Sequence, residues 1–100
     1  MAVVMTMRWT GVTPEQYDAV RAIVRWEEDT PPGAVLHVAS FDGGVMRVTD
    51  VWESQADFDQ FFTDRLAAAI KEAGIEGEPD VAFAPVHRRF VAPGVSGAAS

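Results

Sequence analysis

The chain has 100 residues, a formal charge of −7 and 48% hydrophobic residues. That is apolar material for one core, while the acidic balance argues against nucleic acid and anionic membranes, which require a basic surface. With no cysteine there is no disulfide, thiolate metal site or cysteine nucleophile, and asparagine is also absent.

Val3 to Thr10 is rich in Val, Met and Trp and reads as a strand. The N-terminus lacks the basic region of a signal peptide, and no apolar run reaches the ~18 residues of a membrane span. The expectation is a soluble cytoplasmic protein. Thr13-Pro14-Glu15-Gln16 is a helix start: Thr13 caps, Pro14 suits the first turn and Gln16 completes a capping box. Tyr17, Val20, Ile23 and Val24 recur at helical spacing, and the helix should end before Thr30-Pro31-Pro32-Gly33.

Ala34 to Phe41 and Val45 to Glu53 then read as a hairpin closed at Asp42-Gly43-Gly44. Each arm carries one polar residue that does not belong in a plain core, His37 and Asp50. With Gly43-Gly44 as a two-residue turn, the register sets His37 opposite Asp50. With Asp42-Gly43 as the turn, His37 faces Val48 but still shares a sheet face with Asp50, because the side-chain period is two. A three-residue loop with a bulge would break that parity. Ser54 caps a second helix with Phe58, Phe61, Phe62, Leu66, Ala69 and Ile70 on one stripe, and Gly74 stops it. Val81 to Val91 is the last strand, with Pro85 marking an edge or bulge. The reading is a single domain over residues 1–91 and a frayed, flexible tail over 92–100.

The order βαββαβ is the ferredoxin-like α+β pattern, a four-stranded antiparallel sheet with two helices on one face. Strands apolar on both faces, as around Val35 to Phe41, leave a second face to cover, which calls for a homodimer.

Candidate chemistry centres on His37 and Asp50. A carboxylate beside an imidazole fixes its tautomer and raises its basicity, giving a proton-transfer pair; the bland alternative is a structural hydrogen bond in a core. Trp52 shares that face and reads as a pocket wall or as core. Tyr17 offers a hydroxyl from the first helix, or packs against the sheet. Phe58, Phe61 and Phe62 are core residues from which a ring-binding wall can be built. Arg47 lies on the other face and suits an interface or a rim ion pair. His87, Arg88 and Arg89 form a cluster fit for a carboxylate or a dimer contact, with a solvated edge as the plainer reading. No histidine pair has metal-ligand spacing, and Gly43-Gly44 is a turn rather than a phosphate loop, so no metal or cofactor is expected.

The βαββαβ order and the segment Val51-Trp52-Glu53-Ser54-Gln55-Ala56-Asp57-Phe58 resemble the dimeric α+β barrel superfamily, and within it the antibiotic biosynthesis monooxygenase-like proteins. The resemblance implies a homodimer with a small-molecule pocket between sheet and helices in each subunit. It implies cofactor-free oxygenation of polyketide-like aromatics, isomerisation or cyclisation, or haem degradation. The haem-degrading members use an asparagine, a tryptophan and a histidine on the second helix. Here the helix position is Phe61 and only Trp52 matches, so haem turnover is not expected. The combined reading is a small-molecule pocket protein, a cofactor-independent enzyme of monooxygenase, isomerase or cyclase type. In it His37 acts as base or acid, Asp50 orients it, and Trp52, Tyr17, Phe58, Phe61 and Phe62 hold the substrate. The alternative is a non-catalytic ligand-binding or regulatory dimer.

Overall fold

A computed structural model describes residues 1–100. The elements run β1 (Val3–Thr10), α1 (Pro14–Val24), β2 (Ala34–Asp42), β3 (Val45–Trp52), α2 (Gln55–Phe61), a π-helical turn (Phe62–Leu66), α3 (Ala67–Glu72) and β4 (Asp80–Pro85). The strands form one antiparallel sheet in the order β2-β3-β1-β4. This is the ferredoxin-like α+β arrangement. No helix is long and apolar enough to cross a membrane.

Helix α1 starts as its sequence dictates. Thr13 Oγ1 accepts from the Gln16 backbone N–H and Gln16 Oε1 accepts from the Thr13 N–H, each at 3.1 Å. Its end comes earlier than the expected stop before Thr30. Arg25 takes a left-handed conformation, φ 60° and ψ 45°, and its N–H closes onto the Arg21 carbonyl. Val20 and Val24 are buried, whereas Ile23, on the same periodic stripe, is 42% exposed.

The second helical rod is capped by Ser54, whose Oγ accepts from the Asp57 N–H at 3.1 Å. The π-helical turn inserts one residue, with the Ala67 N–H reaching back to the Phe62 carbonyl. Five-residue spacing therefore separates Phe61 from Leu66, and both still face the sheet. Strand β4 is shorter than the sequence indicates: it ends at Pro85, which pairs with Val3, the first residue of β1. Beyond that point the pairing gains one further bond, from the Val86 N–H to the Ala2 carbonyl at 2.9 Å. His87, Arg88 and Arg89 therefore lie outside the sheet, and Arg89 reaches Glu53 at 3.9 Å.

The core lies between the sheet and the helices. Met5, Met7 and Trp9 of β1 and Met46, Val48 and Trp52 of β3 face Val20, Val24, Phe58 and Phe61. The alternate residues form the other sheet face. On it Leu36 and Val38 are 51% and 53% exposed, near Val4 and Val51, while Arg8 and Arg47 sit opposite each other further along.

Candidate active site

The site begins with a turn. Gly43 and Gly44 both take positive φ, 58° and 80°, the combination a two-residue hairpin turn requires. Asp42 pairs with Val45, and the ladder carries that register to His37 opposite Asp50. A bulge does occur in β2, but between Ala34 and Leu36. It lies beyond His37 as counted from the turn, so the parity of His37 and Asp50 is untouched.

Asp50 is the one polar residue buried in the core, 6% exposed. A buried carboxylate must have partners, and both its oxygens have one. Oδ1 meets His37 Nδ1 at 2.7 Å, and Oδ2 accepts from the Trp52 indole N–H at 3.0 Å. No buried side-chain polar atom lacks a partner. The indole can only donate, which commits Oδ2 as an acceptor. An ordinary carboxylate is a weaker base than imidazole, so the proton between the pair rests on His37 Nδ1. Nε2 of the neutral ring then has a free lone pair. It accepts from the Tyr17 hydroxyl, 2.7 Å away. The hydrogen bonds thus run from Tyr17 through His37 to Asp50, with Trp52 holding the far oxygen.

Aromatic rings hold this array in place. Tyr17 lies parallel to His37, with centroids 6.0 Å apart and planes at 6°. Trp26 leans on His37 at 5.2 Å and meets Tyr17 edge-on at 5.7 Å. Phe41 also meets Tyr17 edge-on, at 6.1 Å. Burial pushes the Tyr17 hydroxyl up to about 12, and the negative charge of Glu27 adds to the effect.

These groups open onto a cavity of about 510 Å³ between the sheet and the helical layer. His37, Asp50, Tyr17, Trp52, Phe58 and Phe61 all line it. Phe62 does not. One position past Phe61, it turns away and packs on Phe58 with ring centroids 6.2 Å apart, so it is a core residue and not a cavity wall. Residues 96–99 of the C-terminal segment also line the cavity. No group of His, Cys, Asp or Glu has the geometry to hold a metal ion.

Sequence reasoning missed Trp26, Glu27 and the methionines of the floor, Met5, Met7 and Met46. Trp26 did carry a signal. It stands two residues after Val24, out of phase with the helical stripe, as an aromatic residue does where the chain has left the helix. The methionines read simply as strand core.

No family model matches the sequence, and neither does any curated protein sequence. Solved structures do match. SnoaB, a cofactor-independent oxygenase from Streptomyces nogalater, is 15% identical, with a TM-score of 0.66 over 92% of this chain and 97% of that one. NE2512 of Nitrosomonas europaea, of unknown function, is 15% identical with a TM-score of 0.67, covering 93% and 96%. A protein from Chloroflexus aurantiacus, provisionally named an antibiotic biosynthesis monooxygenase, is 20% identical with a TM-score of 0.60, covering 92% and 100%. The chain shares the ferredoxin-like α+β fold of these solved structures.

Tyr17 is the chain's single tyrosine, so tyrosinate absorbance reports it alone. A native titration should have its midpoint near 12, returning to the ordinary value of about 10 in denaturant. The native pKa lies above the unfolded one, so this group's contribution to stability is intact below pH ~10 and is lost as the pH rises toward 12. A native midpoint at the ordinary value would contradict a half-buried hydroxyl held against His37.

Proposed function

We propose that this chain is a small-molecule enzyme that works by cofactor-independent proton transfer on an aromatic or polyketide-like substrate, most concretely an oxygenation. The observation that carries this reading is the Tyr17–His37–Asp50 hydrogen-bond array opening on an apolar cavity. His37 is the base and Asp50 the group that fixes its tautomer and stabilises the imidazolium. The proton reaches Nε2 through the Tyr17 hydroxyl, which hands on its own proton as it accepts the substrate's. Trp52, Phe58 and Phe61 hold the ring. The resulting carbanion meets molecular oxygen; a methylene becomes a carbonyl, and one dioxygen leaves as the new carbonyl oxygen and one water. The shared fold with SnoaB, a cofactor-independent oxygenase, supports this choice over isomerisation or cyclisation, which would begin with the same proton.

The protein acts as a homodimer in this reading. Leu36 and Val38, 51% and 53% exposed, lie with Val4 and Val51 on the sheet face without helices. An apolar strip on a sheet face is covered most simply by its two-fold copy.

Oxygen uptake with anthrone, a tricyclic ketone with an acidic methylene, tests the chemistry. His37→Gln and Asp50→Asn should each lower kcat by about 10² to 10⁴ while ligand still quenches tryptophan fluorescence. Wild-type rates in both variants would remove the mechanism, and binding without oxygen uptake in the native protein would favour a ligand carrier.

Light scattering at micromolar concentration should give the dimer mass for the native chain and a monomer mass for Leu36→Asp. A native monomer would contradict the assembly.

A further inference from the structure

The cavity has a one-sided charge inventory. Its ionisable lining groups are Asp50, Glu27, His37 and the phenol of Tyr17, and no lysine or arginine faces it. The chain holds eight such cations in all, and each is accounted for elsewhere. Arg8 and Arg47 lie on the opposite face of the sheet. Arg21 is spent on Asp18 and Glu27, and Arg25 on Glu28. Arg65 stacks over Phe61, a cavity residue, yet its guanidinium donates to the carbonyls of Val24 and Asp29, both at 2.8 Å. Lys71 and Arg88 are exposed, and Arg89 pairs with Glu53.

From this distribution we infer that the cavity takes electrically neutral ligands and rejects carboxylates and phosphate esters. The inference rests on the reading of this cavity as the substrate site, and it narrows that substrate to a molecule whose one ionisable hydrogen is given up only inside the protein. A neutral acid that passes its proton to His37 leaves the cavity's total charge unchanged. A ligand that arrives as an anion finds an ionised carboxylate already buried beside the imidazole, with no cation to pair with it. It binds only as a complex that carries one extra proton from solvent. The charged groups acting at the Tyr17–His37 wall are Asp18, Arg21 and Glu27 from α1 and the connection after it, and Asp50 from β3. Arg21 is the one cation among them, and Asp18 and Glu27 already pair with it.

The test uses three ligands of nearly one shape: methyl 2-naphthoate, 2-naphthol and 2-naphthoate. All three tryptophans line the cavity, so their fluorescence reads binding directly. At pH 8 the ester and the naphthol should bind, and the carboxylate should bind weaker by a factor on the order of 10². The carboxylate should bind more tightly at pH 6 than at pH 8, the mark of a proton taken up, while the ester stays constant. Carboxylate binding at pH 8 within about threefold of the ester, independent of pH, would overturn the inference. So would failure of both neutral ligands to bind up to their solubility. Binding is read without turnover: a neutral-only cavity that consumes no oxygen with anthrone would keep this inference and remove the oxygenase.

Discussion

The burial of Asp50 organises this molecule. A carboxylate in an apolar layer is tolerable only if both oxygens are occupied, and here the two partners come from different places. Trp52 is two residues along the same strand, on the same face, and donates at 3.0 Å. His37 is across the hairpin and meets the other oxygen at 2.7 Å. Removing either partner leaves a buried charge uncompensated, a loss of about 3–5 kcal/mol where a pair is fully enclosed; His37 is partly open to the cavity, so its own loss is smaller. The same bonds set the tautomer, and the tautomer decides that Nε2 meets the Tyr17 hydroxyl as an acceptor. In the proposed function, that same requirement of folding makes His37 a poised base.

Three local departures from regular structure deliver the remaining groups, and a fourth leaves them undisturbed. The Gly43-Gly44 turn sets the register. The left-handed Arg25 ends α1 early, and Trp26 then packs on the His37 ring. The bulge before Leu36 is placed beyond the pair and does not disturb it. The π-helical turn keeps Phe61 and Leu66 on one face although they stand five residues apart. Each of these is a backbone event. Together they leave a cavity with a polar array on one wall and thioether and aromatic groups elsewhere.

Much of this was legible in the sequence. The fold followed from element order, because capping residues and periodicity marked both helices and alternation marked the strands. The His37 and Asp50 register followed from a turn type that two glycines specify. What stayed hidden depended on side-chain direction or on partners distant in sequence. Tyr17 was placed against the sheet by helical phase, but phase does not show that its hydroxyl meets Nε2 of a residue 20 positions away. Phe62 shares the apolar stripe with Phe61, and only the path of the helix tells which ring enters the cavity. The strand expected to reach Val91 stops at Pro85, since β1 has no residue left to pair with it. Trp26 lies past a helix end set by a left-handed arginine, a conformation rare outside glycine and not marked by residue type.

The hydrogen bonds require His37 to carry a proton on Nδ1, toward Asp50, and to present Nε2 to the Tyr17 hydroxyl as an acceptor. Nitrogen-15 NMR of the labelled protein near pH 7.5 tests this directly, and with only His37 and His87 in the chain the assignment needs a single His87→Gln control. The expected result for His37 is a protonated Nδ1 and an unprotonated, hydrogen-bonded Nε2, with the Nδ1 proton shifted by its carboxylate partner. A ring protonated on Nε2, or one that behaves as a free, averaging imidazole, would contradict it.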